Sequence, residues 1–209
     1  DGERTMNTYL GASSYLAPDD VEEALDRSAK VIYHEGYMWD RPAAKTAFQK
    51  AGEIARAANR RVALTLSDSF CVDRFRGEFI ELMRSRTVDT IFANTDEILS
   101  LYETPQFGEA LDSLRAEGVL GIVTRSEKGM ALIAASGAAH FASARAREVF
   151  DVSGAGDTVI AALALARAAG HDLPAAMHLA NTAAGSAVSK LGTAAVELDE
   201  LMLEMSRDV

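Results

Sequence analysis

The 209 residues carry 31 acidic against 21 basic side chains, a net charge of −10, and 48% of them are hydrophobic. That length supports one substantial domain with a packed core, and the acidic balance disfavours a broad surface for nucleic acid. No apolar run reaches membrane-spanning length without a charge, and the single cysteine, Cys71, excludes an intrachain disulfide and suits a reducing, cytoplasmic setting.

In chain order, "KVIYHEG" (30–36), "RVALTLSD" (61–68), "DTIFAN" (89–94) and "LGIVTR" (120–125) read as strands, each bounded by polar residues or glycine. Helical patterns fill the gaps at 40–60, 73–86 and 95–118. In the first, Ala44, Ala47, Phe48, Ala51, Ile54 and Ala55 recur at helical spacing behind Pro42. Such alternation predicts an α/β fold with a mainly parallel sheet and right-handed crossovers. Residues 130–144 read as a hairpin turning at Ser136-Gly137. Two helices follow, at 157–170 and 174–190, the first closed by Gly170 and the second opened by Pro174. Ser67-Asp68, Asn94 and Thr124-Arg125 all stand at carboxyl ends of strands, the edge where open parallel sheets bind ligands.

"FDVSGAGDTV" (150–159) places Gly154, Ala155, Gly156 and Asp157 at the mouth of an apolar helix. The first amides of a helix lack internal partners and carry the positive end of its dipole. Flanking glycines let that backbone approach an oxyanion, so the turn can hold a phosphoryl group without a basic exterior. Asp157 beside it is placed to take a proton from an attacking hydroxyl, worth roughly 10²–10⁴-fold in rate. The plainer alternative is a strand-to-helix turn with an acid in the first helical turn. No G-x-x-x-x-G-K-[ST] occurs. Val159 replaces the third glycine of a dinucleotide fingerprint, and no strand-end acid follows about twenty residues on, which disfavours a nicotinamide site. The four histidines are scattered without metal-ligand spacing, and Trp39 reads as core.

"DVSGAGDT" resembles the second signature of the ribokinase-like (PfkB) carbohydrate kinases. The resemblance implies a three-layer α/β/α fold, with the glycine turn as anion hole and Asp157 as catalytic base. "FANTDE" is similar to that family's N-x-x-E motif, which puts Asn94 and Glu97 in the Mg²⁺ and phosphate network. Read without that context, the same pair is a helix cap and a first-turn acid. "VTRSEKGM" looks like the nucleotide-lining segment, implicating Thr124, Arg125, Ser126 and Gly129. "LANTAAGSAV" resembles the helix over the adenine, with Asn181 near the base or else in packing. Asp151 and Ser153 match positions that hold a monovalent cation, K⁺ for instance, in some relatives. The implied cofactors are ATP and Mg²⁺.

Residues 1–15, "DGERTMNTYLGASSY", look like the later part of a small β-lid, with Arg4 and Asn7 facing substrate. The rest of such a lid and the family's sugar-gripping glycines are missing, so a longer kinase with one domain over 1–209 is expected, its exposed sheet edge or lid favouring a homodimer. The first two thirds resemble bacterial adenosine and related sugar kinases, and the carboxyl-terminal run resembles the heptose-phosphate kinase branch. The acceptor stays open between them, as does a non-catalytic nucleotide- or sugar-binding module.

Overall fold

The computed structural model describes residues 7–137, 139–143 and 149–207. Two compact units make up the chain: Thr8–Val123 with Leu132–Ala139, and Thr124–Ala131 with Asn7 and the described part of His140–Val209.

After short 3₁₀ turns at Gly11–Tyr15 and Pro18–Asp20, the order is α1 (Glu23–Ser28), β1 (Val31–Glu35), a 3₁₀ turn (Gly36–Asp40), α2 (Pro42–Ala57), β2 (Arg61–Thr65), α3 (Ser69–Arg84), β3 (Thr90–Asn94), α4 (Thr95–Tyr102), α5 (Phe107–Glu117) and β4 (Leu120–Thr124). There follow β5 (Met130–Ile133), β6 (Ala139–Ala142), α6 (Ala155–Ala168), α7 (Leu173–Val188) and α8 (Leu198–Ser206). The six strands lie in sequence order. β1, β2 and β3 are parallel, with Ile32 opposite Val62 and Leu64 opposite Ile91. β4 and β5 are neighbours joined by five residues, too few for a crossover, so that pair is antiparallel and the sheet is mixed.

Burial explains the strand composition. Val62, Ala63 and Leu64 of β2 and Ile91, Phe92 and Ala93 of β3 are all buried, as continuous apolar runs in a sheet covered on both faces must be. At the edge, β1 buries Ile32 but exposes Tyr33. The α2 stripe of Ala44, Ala47, Phe48, Ala51, Ile54 and Ala55 is buried as its spacing predicts. Phe79 and Met83 of α3, Ile98 of α4 and Leu114 of α5 complete the core of the first unit, each worth about 1.5–3 kcal/mol on burial. In the second unit, α6 and α7 pack together, burying Val159 and Leu163 with Ala176, Ala180, Ala183 and Ala187.

Two expectations are corrected, and a third falls partly outside the described residues. Of the amino-terminal lid segment only residues 7–15 are described, and they hold no strand. A strand needs a partner for its backbone groups, and here the Ser13 and Ser14 hydroxyls turn back onto the carbonyls of Leu10 and Gly11. The helix expected from residue 73 begins at Ser69, because Asp68 caps it by accepting the Cys71 amide at 2.6 Å. A third carboxyl-terminal helix, α8, adds to the two expected. It is opened by a reciprocal cap between Glu197 and Glu200 and buries no residue fully.

Candidate active site

In the first unit the polar groups gather at the carboxyl ends of β1, β2 and β3. Glu35 ends β1, Ser67 and Asp68 follow β2, and Asn94 ends β3. Ser67 adopts φ +72°, a left-handed conformation costly for a residue with a Cβ. Its hydroxyl accepts the Tyr37 amide at 3.2 Å and donates to Glu35 at 3.3 Å. Burial, then Asp68, to which it is hydrogen-bonded, push the Tyr37 hydroxyl up to about 12, so it stays a proton donor.

Asn94 caps α4. Its side-chain oxygen accepts the Glu97 amide at 2.8 Å, its side-chain nitrogen donates to one Glu97 oxygen at 2.8 Å, and its backbone amide donates to the other at 2.9 Å. The helix-cap reading of this pair is therefore realised in the geometry. Glu97 is 5% exposed. Burial pushes its carboxyl up to about 7 against the pull of the Asn94 amide, with Asp68, Asp96 and Glu35 adding to the rise. With both oxygens held by Asn94, Glu97 suits a metal only indirectly, through the orientation it imposes on Asn94. Among the described residues, no three His, Cys, Asp or Glu side chains cluster to hold a metal ion.

In the second unit, Gly154 is the N-cap of α6 at φ +78°, and Ala155, Gly156 and Asp157 form the first helical turn. Only glycine takes that φ without strain. The Ala155 amide donates to the Val152 carbonyl at 3.2 Å and is withdrawn from the anion role expected of it. The amides of Gly154, Gly156 and Asp157 find no acceptor among the described residues. A Cβ built on Gly156 would meet nothing within 4 Å. Packing therefore does not demand a glycine there, and the space above it is open. The Asp157 side chain is exposed and makes no ion pair or hydrogen bond among the described residues.

Asp151 anchors this turn. One carboxylate oxygen accepts the Ser153 amide at 2.8 Å and the other the Gly192 amide at 3.0 Å. The amides of Phe150 and Asp151 both reach the Val188 carbonyl at the end of α7. Thr193 lies 3.5 Å from where a Gly154 Cβ would stand. Gly192 and Thr193 thus belong to the surroundings of the turn. The sequence pattern marks Gly192 only as a helix stop, and its bond to Asp151, 41 positions away, leaves no mark in local spacing.

Thr124, Arg125, Ser126 and Gly129 form a turn of their own. The Arg125 amide donates to the Gly129 carbonyl at 2.7 Å and the Gly129 amide to Ser126 at 3.0 Å. Gly129, at φ +80° and ψ −125°, occupies a region open to glycine alone. Asn181 is 6% exposed, and its side-chain amide nitrogen donates to the Ser143 carbonyl. Asn7 is exposed, and Arg4 lies outside the described residues. The structure thus brings Asp151, Ser153, Gly154, Gly156 and Asp157 to one turn, and Asn94 and Glu97 to one cap.

The pattern of pfkB family carbohydrate kinases matches residues 1–200. The bifunctional protein HldE of Pseudomonas paraeruginosa is 40% identical over 193 residues, covering 90% of this chain and 38% of HldE. The crystal structure of adenosine kinase from Sinorhizobium meliloti superposes with a TM-score of 0.92 at 43% identity, over 100% of this chain and 63% of that one. A putative ribokinase II from E. coli, crystallised with ATP and Mg²⁺, shares the fold at TM-score 0.80 and 22% identity, over 92% of this chain and 63% of that one. The chain therefore spans well under half of the curated relative and about two thirds of the solved ones.

Proposed function

The chain belongs to the pfkB family of carbohydrate kinases, and on that premise we propose that it carries the phosphate-transfer half of an ATP-dependent kinase acting on a hydroxymethyl group of a sugar or nucleoside. The observation that carries the reading is the α6 turn. Three amides without an acceptor among the described residues, and a glycine with open space above it, stand beside an exposed carboxylate that has no partner among those residues.

Asp157 acts as general base on the acceptor hydroxyl, and the amides of Gly154, Gly156 and Asp157 receive the negative oxygens of the group in transit. Fixed donors of that kind meet charge as it develops, and phosphoryl transfer depends mainly on such positioning and neutralisation. Mg²⁺ supplies further charge neutralisation on the nucleotide phosphates. Asn94, oriented by Glu97, is the residue assigned to that network, and Thr124, Arg125, Ser126 and Gly129 are assigned to the nucleotide. Asn7 and Arg4 are assigned to the acceptor. A cytoplasmic homodimer, supplied with ATP, is the setting proposed. Among the described residues no helix is long and apolar enough to cross a membrane.

The likeness to an adenosine kinase over the whole chain favours a nucleoside or pentose acceptor. The likeness to HldE over 90% of the chain supports the heptose-phosphate branch as the second reading. A screen of the full-length protein with MgATP against adenosine, ribose, fructose and heptose phosphates separates them. Asp157→Asn in that protein is expected to cut turnover by about 10²–10⁴-fold while ATP still binds. Undiminished turnover would rule out Asp157 as the base. ATP binding without transfer to any acceptor would instead favour a binding module.

A further inference from the structure

We infer that the cavity beside Met38 in the first unit receives a nucleobase, a flat uncharged ring carrying N–H donors, and turns away a phosphorylated sugar, so that the acceptor is a nucleoside. The cavity is a feature of the first unit alone; that its ligand is the acceptor rests on the kinase reading above.

The cavity measures about 450 Å³, within the range of small-molecule sites, and is lined by Ala12, Ser13, Tyr15, Leu16, Asp20 and Met38. Met38 belongs to the turn Gly36–Asp40 directly after β1, so this wall stands at the carboxyl edge of the sheet, where open parallel sheets take ligands. The other walls come from the turns Gly11–Tyr15 and Pro18–Asp20, which hydrogen bonds hold in shape. The Ser13 hydroxyl donates to the Leu10 carbonyl at 2.6 Å and the Ala17 amide to Asp20 at 2.8 Å. Lys50 of α2 reaches the Pro18 carbonyl at 2.6 Å and braces the second turn.

The lining selects by shape and by charge. Tyr15 is 79% exposed and makes no ring contact among the described residues, so its face is open to a ring stacked on it. Met38 adds a pliable thioether that packs well against aromatic edges. Asp20 spends one carboxylate oxygen on the Ala17 amide, and the other takes no donor among the described residues, which leaves it to accept from a ring N–H or an exocyclic amine. No Lys or Arg lines the cavity. Glu35 ends β1 and Asp68 follows β2, so the same edge carries further acids. A phosphate placed there would meet carboxylates without a counter-charge, and like charges brought together at a binding site cost affinity.

The test is calorimetric binding of adenosine, ribose and ribose 5-phosphate to the full-length protein without ATP, followed by steady-state kinetics with MgATP. The wild type is expected to bind adenosine about 10-fold or more tightly than ribose, and ribose 5-phosphate about 10-fold or more weakly than ribose. Tyr15→Ala and Met38→Ala are each expected to raise the adenosine Kd and KM by about 10-fold with a much smaller change for ribose, a split that general loosening of the fold would not produce. Adenosine bound no more tightly than ribose overturns the inference, as does ribose 5-phosphate bound more tightly than ribose, and as do variants that shift adenosine and ribose alike. If a variant does not fold, the wild-type order of the three ligands decides alone. Adenosine binding without phosphotransfer counts against the kinase reading and leaves the cavity standing. Phosphotransfer to a heptose phosphate and not to adenosine overturns the inference and leaves the kinase reading standing.

Discussion

Asn94 and Glu97 hold each other across the first turn of α4, each side chain accepting the other's backbone amide, at 2.8 and 2.9 Å. In the same unit His34 stacks on Phe48 at 3.7 Å, with its Nε2 buried and without a hydrogen-bond partner among the described residues. Burial alone lowers His34 to about 4 from 6.5, while Glu97 rises to about 7 from 4.5. The Glu97 contribution to stability is complete below 4.5 and is lost as pH rises through about 7. The His34 contribution is complete above 6.5 and is lost as pH falls through about 4. Each is worth on the order of 3 kcal/mol, and the two slopes oppose. Urea midpoints from about pH 4 to 8 should therefore be nearly flat for the wild type. Glu97→Gln should lose stability toward acid, and His34→Phe should gain it. Parallel curves for all three would show that neither group titrates as placed.

Gly156→Ala separates function from folding. The added methyl meets no protein atom within 4 Å and sits in a helical turn, so the chain should be unchanged or more stable by roughly 0.5–1 kcal/mol. The same methyl occupies the space proposed for the phosphoryl oxygens, and turnover of the full-length protein should fall by about 10²-fold. Full activity in a stable variant would remove the turn from the mechanism.

Gly36→Ala should do the reverse. A Cβ there would lie 2.8 Å from the carbonyl oxygens of both Thr65 and Leu66, and these belong to backbone that cannot yield without disturbing β2. A loss of about 1–3 kcal/mol in denaturant unfolding is expected. Gly77→Ala in α3, with nothing within 4 Å, serves as the control and should be mildly stabilising.

Cys71 is a probe of opening. It is buried, its thiol donates to the Gly36 carbonyl at 3.2 Å, and burial with the neighbouring Asp68 pushes its pKa up to about 12. Alkylation at mildly alkaline pH should be slow in the folded chain and should accelerate with urea along the unfolding transition. Rapid labelling without denaturant would contradict this burial.

The strands β2 to β5, with their strong apolar runs, are legible because a strand buried on both faces has no other composition open to it, and β1, at the sheet edge, is marked by its β-branched residues and its bounding glycine. The α2 stripe was legible for the same kind of reason. The helix α8 was not, since its Leu198, Met202 and Leu203 remain largely exposed and leave no clean one-sided pattern.

Local pattern was enough to place a bare glycine turn and an acid at the start of α6 and a cap at Asn94, because helix ends advertise their unpaired amides through nearest neighbours in the chain. Which amides stay unpaired was settled by folding: Ala155's is spent on Val152, and Asp151 is fastened to Gly192, 41 residues away. Long-range hydrogen bonds and burial depend on which distant segments meet, and no spacing rule along a single chain encodes that meeting.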